Sequence, residues 1–276
     1  LIPRLFDSEE QFIHFIFQIM NFFQCTDLKE AVYQFFDSAL IYTPALLDVI
    51  LDPLLESSVE DLTTLTNQRN ILIKIIVLWE SLVTKEIITC HPEFITKVIP
   101  QILPPLISVM QSVNTTLVLD YTEWEPYTAA YSCIQAFAVA QPDAVLPLLS
   151  DYITGASESS SPFDREGAIK SLRITFQVAP LSMLSQMISD SLQLLDMQIG
   201  DPAPRVRAAV VDCLIVIINA CMHECSSSDE SGNGSGNDSG NGSGNDSPIN
   251  SNGPITPDES ETEINLCTWH LFEPFI

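Results

Sequence analysis

The chain has 276 residues, 46% of them hydrophobic, which is enough to bury a sizeable core. Eleven Lys and Arg stand against 36 Asp and Glu, giving a formal net charge of -25, and no Lys or Arg follows Arg207. A surface this acidic repels nucleic acid and anionic membrane and attracts basic partners.

Ser8–Phe23 carries apolar residues at helical spacing (Phe12, Phe15, Ile16, Ile19, Phe22, Phe23), with Ser8 as N-cap and two glutamates in the first turn. Helices follow at about Asp27–Tyr42 and Pro44–Leu55, and Ser57–Leu65 reads as a polar bridge. Asn67–Val83 is a long apolar helix. His91–Ser112 is another, which Pro100, Pro104 and Pro105 are expected to kink or break. Val113–Glu125 is a loop. Helices recur at about Pro126–Ala140, Asp143–Ile153, Phe163–Val178, Ser182–Met197 and Pro204–His223, each beside a Pro, Gly or Ser turn. No period-2 strand pattern appears. No apolar run reaches membrane-spanning length, because Lys74 and Glu80 interrupt one candidate and three prolines the other.

Five of these helices share a template: a basic or polar residue, then a small or apolar pair, then a small residue beside an apolar one. Arg207-Ala-Ala-Val-Val-Asp-Cys-Leu214, Arg165-Glu-Gly-Ala-Ile-Lys-Ser-Leu172 and Tyr127-Thr-Ala-Ala-Tyr-Ser-Cys-Ile134 fit it well; the stretches opening at Lys29 and Arg69 fit loosely. The starts are separated by 40, 58, 38 and 42 residues. Three of these separations match the period of about 40–47 residues found in helical solenoids of the HEAT and armadillo type. The fourth is longer by about the size of the Val113–Glu125 loop. The expected fold is all-α, a HEAT-repeat solenoid of stacked antiparallel helix pairs, in which Ala, Gly, Ser and Cys let neighbouring helices approach closely. Asp164, Arg165, Asp201, Arg205 and Arg207 are expected to bond between repeats or to helix ends.

The composition changes after Glu224. Gly232-Asn-Gly-Ser-Gly-Asn-Asp-Ser239 is repeated as Gly240–Ser247, a tract that cannot bury apolar area. The chain therefore divides into a solenoid over 1–225 with about five repeats and a loop insertion near 113–125, a disordered acidic linker over 226–263, and the possible start of a next-repeat helix over 264–276.

The motif Asp201-Pro-Ala-Pro-Arg-Val-Arg-Ala-Ala resembles the repeat start of importin-beta (karyopherin-beta) nuclear transport receptors. Ser161-Pro-Phe-Asp-Arg-Glu-Gly-Ala-Ile and Glu123-Trp-Glu-Pro-Tyr-Thr-Ala-Ala-Tyr look like the two starts before it. Gln68-Arg-Asn-Ile-Leu-Ile-Lys-Ile-Ile-Val-Leu-Trp-Glu-Ser-Leu is similar to the importin-five-like branch. The resemblance covers roughly Asp27–Glu224, the middle repeats of such a receptor. It implies first helices on a convex outer face and second helices lining a concave inner one. Basic cargo (nuclear localisation signals, ribosomal proteins or histones) and the GTPase Ran would bind inside, and phenylalanine-glycine nucleoporin segments between outer helices. It also implies shuttling between cytoplasm and nucleus. The Gly/Asn/Ser insertion departs from the family pattern.

Candidate binding residues follow. Asp120, Glu123 and Glu125 around Trp124 suit a Lys or Arg held by ion pairing and cation–π contact. Asp151, Asp190 and Asp196, with Glu56 further back, would make a negative track along second helices. Phe36, Trp79, Phe137 and Phe176 are either receivers for phenylalanine side chains or, as helical spacing favours, core. Cys221 and Cys225 with Cys267 and His270 have a spacing that suits zinc poorly, so no metal and no cofactor is expected. The odd count of seven cysteines fits reduced thiols better than a disulfide framework. No nucleophile-and-base pattern stands out, so an enzyme is not expected. The rival reading is a HEAT scaffold of another class, such as a phosphatase regulatory subunit.

Overall fold

The computed structural model describes residues 9–89, 91–111 and 126–227. The Ser8 cap, the 113–125 loop, and the expected linker and next-repeat helix beyond 227 lie outside them. Among the described residues ten α-helices follow one another: α1 (Glu9–Met20), α2 (Thr26–Tyr42), α3 (Leu47–Thr64), α4 (Arg69–Thr84), α5 (Pro92–Gln111), α6 (Pro126–Ala140), α7 (Pro142–Ala156), α8 (Pro162–Val178), α9 (Leu181–Ile199) and α10 (Pro204–Ser227). No strand occurs among the described residues. Five of the helices open on Pro, whose missing N–H is one the first turn leaves unpaired anyway.

The template helices are α2, α4, α6, α8 and α10. Each packs against the next, and α3 packs against α5, so helix pairs stack as an α-solenoid. The buried face of each first helix is mostly apolar. Trp79, Phe36, Phe137 and Ile75 are fully buried, and Phe176 is nearly so. The four aromatic spots at Phe36, Trp79, Phe137 and Phe176 are therefore core and not receivers for a partner's side chains. Ala129, Ala130 and Ala168 are wholly buried and keep adjacent first helices close. A Cβ built on Gly167 would overlap the Tyr152 hydroxyl, so glycine is what permits the α7–α8 approach.

Two expectations are corrected. Ser57–Leu65 is not a bridge: α3 runs on through Thr64. Its hydroxyls turn back onto the helix, with Ser58 Oγ donating to Leu54 O at 2.7 Å and Thr64 Oγ1 to Glu60 O at 2.8 Å. Asp61 is buried because it accepts from Tyr33 Oη at 2.8 Å and pairs with Lys29. Polar residues thus satisfied cost little inside a helix. Nor do the three prolines end α5, which is continuous over Pro92–Gln111. Val98, Ile99, Ile102, Leu103, Leu106, Val109 and Met110 are all buried, and that apolar area offsets the lost backbone bonds.

The end of α4 was not anticipated in sequence. Glu86 has φ 58, the left-handed conformation usually given to Gly. Its N–H bonds Val83 O at 3.0 Å, and Ile87 N–H bonds Leu82 O at 3.0 Å. This is the Schellman closure. Burial of Ile87 and Ile88 holds the turn, at a local cost of about 1 kcal/mol or more for a residue with a Cβ.

Candidate functional site

The sequence-selected carboxylates of the second helices are solvent-facing. Asp151 on α7, Asp190 and Asp196 on α9 and Glu56 on α3 are exposed, and none has an ion-pair partner among the described residues. Sequence reasoning missed two companions of Glu56. Asp52, Glu56 and Glu60 stand four residues apart, so they share one face of α3, about 6 Å from one another along the axis. That face lines a groove of about 600 Å3 between α3 and α5. Leu55 and Val59 contribute its apolar lining, and Lys97 and Gln101 of α5 form the opposite wall. Lys97 pairs with Asp52, while Gln101 Nε2 donates to Lys97 O at 3.1 Å. The four-residue spacing of acids was the available sequence signal. The Asp120, Glu123, Trp124 and Glu125 cluster lies outside the described residues.

The charges at the repeat starts make a second assembly, away from that groove. Arg165 donates from Nε to Asp201 Oδ2 at 2.6 Å and from Nη2 to Asp201 Oδ1 at 3.1 Å, a two-pronged bond from α8 to the α9–α10 turn. Its Nη1 also donates to Ser159 O at 2.7 Å, and Asp164 accepts from Ser159 Oγ at 2.6 Å. Arg207 Nη1 donates to Asp201 O at 2.7 Å. The Arg165 guanidinium holds the Asp201 carboxyl below its ordinary range against the opposing effect of burial.

Arg205 reaches Glu166, a residue the sequence analysis passed over. Glu166 accepts from Tyr127 Oη of α6 at 2.7 Å, from Lys170 Nζ one turn along α8 at 2.9 Å, and from Arg205 Nε of α10. One buried carboxylate thus ties three consecutive first helices. The Arg205 guanidinium lies 4.2 Å from the Phe163 ring centroid, and Lys170 Nζ 4.5 Å from that of Tyr127. Burial pushes the Glu166 carboxyl upward, but the Lys170 charge and the three donors outweigh it and hold it below the usual range. Burial and the same carboxylate push the Tyr127 phenol upward, so it stays a donor.

Other chemistry is sparse. Cys25, Cys133 and Cys213 are free thiols, and burial raises Cys213 to about 12. Among the described residues no group of three His, Cys, Asp or Glu is arranged to hold a metal, and no helix is long and apolar enough to cross a membrane. The side chains of Cys221 and Cys225, together with Cys267 and His270, lie outside what the structure describes.

No protein-family model and no curated protein sequence matches the chain. Solved structures do. A crystal structure of importin beta aligns with TM-score 0.71 at 14% identity, over 80% of this chain and 27% of that one. Yeast importin-beta, Kap95p, aligns at 0.69 and 12%, over 79% and 26%. Kap95 in its complex with Nup1 aligns at 0.69 and 12%, over 78% and 26%. The fold is therefore the HEAT-repeat solenoid of the importin-beta type, and the chain spans about a quarter of the length of those receptors.

Proposed function

We propose that the chain is the middle part of a nuclear import receptor of the karyopherin-beta type, on its importin-five-like branch. It acts by reversible binding. Basic cargo, in the class of nuclear localisation signals, ribosomal proteins or histones, lies against the acidic second helices, and Ran-GTP regulates its release. Phenylalanine-glycine nucleoporin segments bind between first helices, and the receptor shuttles between cytoplasm and nucleus. The observation that carries this reading is the alignment with importin beta over 80% of the chain. It is supported by the net charge of -25 and by exposed acids at Asp151, Asp190 and Asp196 that no cation neutralises among the described residues. Kap95p has also been solved with RanGDP, in a structure that aligns with this chain at TM-score 0.63.

The test is a pull-down of the chain with a basic ribosomal-protein or histone-tail peptide, and in parallel with phenylalanine-glycine repeats, at low and moderate salt. Capture of both is expected, with the basic peptide lost on charge reversal at Asp190 and Asp196 and the nucleoporin repeats retained. Failure of both by a chain of normal helicity overturns the transport reading in favour of a HEAT scaffold of another class.

A further inference from the structure

Arg165 and Arg207 are held alike. Each donates from Nη1, at 2.7 Å, to the backbone carbonyl six residues before it: Ser159 O for Arg165 and Asp201 O for Arg207. The rest of the Arg165 fork, Nε and Nη2, takes the Asp201 carboxylate of the following repeat. The corresponding atoms of Arg207 meet no carboxylate among the described residues. The apolar faces run in the same register. Ile169, Leu172 and Phe176 of α8 cluster with Ala209, Val210, Cys213 and Ile217 of α10. Their equivalents 42 residues on, in α10, are Val211, Leu214 and Ile218. Here the face is open: Val211, Ile215 and Ile218 are 51%, 51% and 55% exposed. Thus α10 presents the surface that α8 uses to hold the next first helix, with an arginine fork at its head.

We propose that this face docks the chain's own segment Asn265–Phe275, which lies outside the described residues, with Glu259 taking the Arg207 fork. Asn265-Leu-Cys-Thr-Trp-His-Leu-Phe272 fits the repeat template. It starts 58 residues after Arg207, the same separation as between the starts at Arg69 and Tyr127. Glu259 stands six residues before Asn265, as Asp201 stands six before Arg207. The residues equivalent to Ala209, Val210, Cys213 and Ile217 are Cys267, Thr268, Leu271 and Phe275, each small or apolar. Charge complementarity selects the same occupant. No Lys or Arg follows Arg207, whereas Asp258, Glu259, Glu261 and Glu263 lead into the segment. Reach permits it: the way from Ser227 back to Arg207 is about 30 Å along α10. A Gly/Ser/Asn-rich tract as long as the one from Ser227 to Glu259 spans about 30 Å on average. Tethering gives an effective concentration on the order of millimolar, so a short contact suffices. Pro274 limits the segment to about two helical turns. The result is a detachable latch on the last repeat, smaller than a further helix pair.

The experiment follows amide hydrogen exchange along α10 in the full chain, at two protein concentrations set well apart. Leu271→Asp is expected to speed exchange over Val211–Ile218 by about tenfold or more. Glu259→Gln and Arg207→Glu are each expected to speed it by about two- to fivefold, and Arg207→Glu combined with Glu259→Arg to restore slow exchange. Trp269→Ala, equivalent to Val211 and so on the far side of the segment, is expected to change little. If Leu271→Asp and Glu259→Gln both leave α10 exchanging as in wild type, the latch is overturned. It is overturned equally if the charge swap fails to restore protection, or if Trp269→Ala frees α10 as Leu271→Asp does. Protection that depends on Leu271 but grows with protein concentration, with a dimer seen by light scattering, assigns the face to a second copy and overturns the intramolecular contact. Circular dichroism of each variant excludes unfolding of the solenoid as the cause.

Discussion

Among the described residues, Glu80 at the joint between α4 and α6 has a single hydrogen-bond donor, Ser132 Oγ at 2.5 Å; at the joint that joins α6, α8 and α10, Glu166 has three. Both carboxylates sit on first helices and both are largely shielded, yet their acidities move in opposite directions. Burial raises Glu80, and the lone hydroxyl offsets only part of that. Glu166 is lowered despite burial, because Lys170, Arg205 and Tyr127 converge on it. The first joint is carried by apolar packing around Trp79, Ile75 and Ile76, the second by a polar network that spans three helices. The apolar core reflects this change of material. One cluster runs from α1 to the Ala168 and Ile174 face of α8, and a separate one joins Ile169, Leu172 and Phe176 of α8 to Ala209, Val210, Cys213 and Ile217 of α10. A repeat design tolerates either kind of joint, provided that buried polar atoms find partners.

The comparison is broken most severely at its apolar end. Trp79→Ala removes a fully buried indole and is expected to cost about 3–5 kcal/mol. Urea unfolding followed by far-UV circular dichroism should show α2–α6 lost first, and a loss below about 1 kcal/mol would mean that this joint is not held by packing. At the polar end, Glu166→Gln keeps the shape but removes the charge, and a loss of about 1–3 kcal/mol is expected at pH 7. The sign with pH follows from the lowered carboxyl. Its stabilisation is present above the ordinary carboxyl pKa and is lost as pH falls through the lowered folded value, so the gap between wild type and variant should narrow as pH falls below the ordinary carboxyl range. A gap that stays constant from pH 7 to pH 3 would show that the charge is not what matters. The smallest and most discriminating change is Glu80→Gln. Because the folded pKa is raised, the ionised form is the costly one, and at pH 7 the variant should lose no more than about 0.5 kcal/mol or gain stability. A clear loss would place Glu80 beside Glu166 as a structural anion and end the contrast.

Much of the stack was legible in the residues. Apolar spacing located all ten helices, α6 to the residue, because a core-facing stripe recurs every 3.6 residues whatever it packs against. The spacing of Ala-Ala, Gly-Ala and Ala-Ala pairs identified α6, α8 and α10 as equivalent, since only small residues permit such close helices. Three features were not legible. The polar tail of α3 reads as a bridge until Lys29 and Tyr33, some thirty residues earlier, are known to meet Asp61. The prolines of α5 read as breakers until its buried face is known. Glu166 reads as an ordinary surface acid paired with Lys170 one turn on, because its other two partners lie 39 residues before it and 39 after.

The same division holds for the candidate site. Composition alone determined the sign of the protein's charge, because net charge is additive and needs no coordinates. Four-residue spacing put Asp52, Glu56 and Glu60 on one helix face. That this face opens on a groove, and that Lys97 from the next second helix already occupies its first carboxylate, was decided only by how α3 and α5 stack. Periodicity is a local property that each helix carries alone. The meeting of charges some forty residues apart depends on the register between repeats, and packing across the whole stack sets that register.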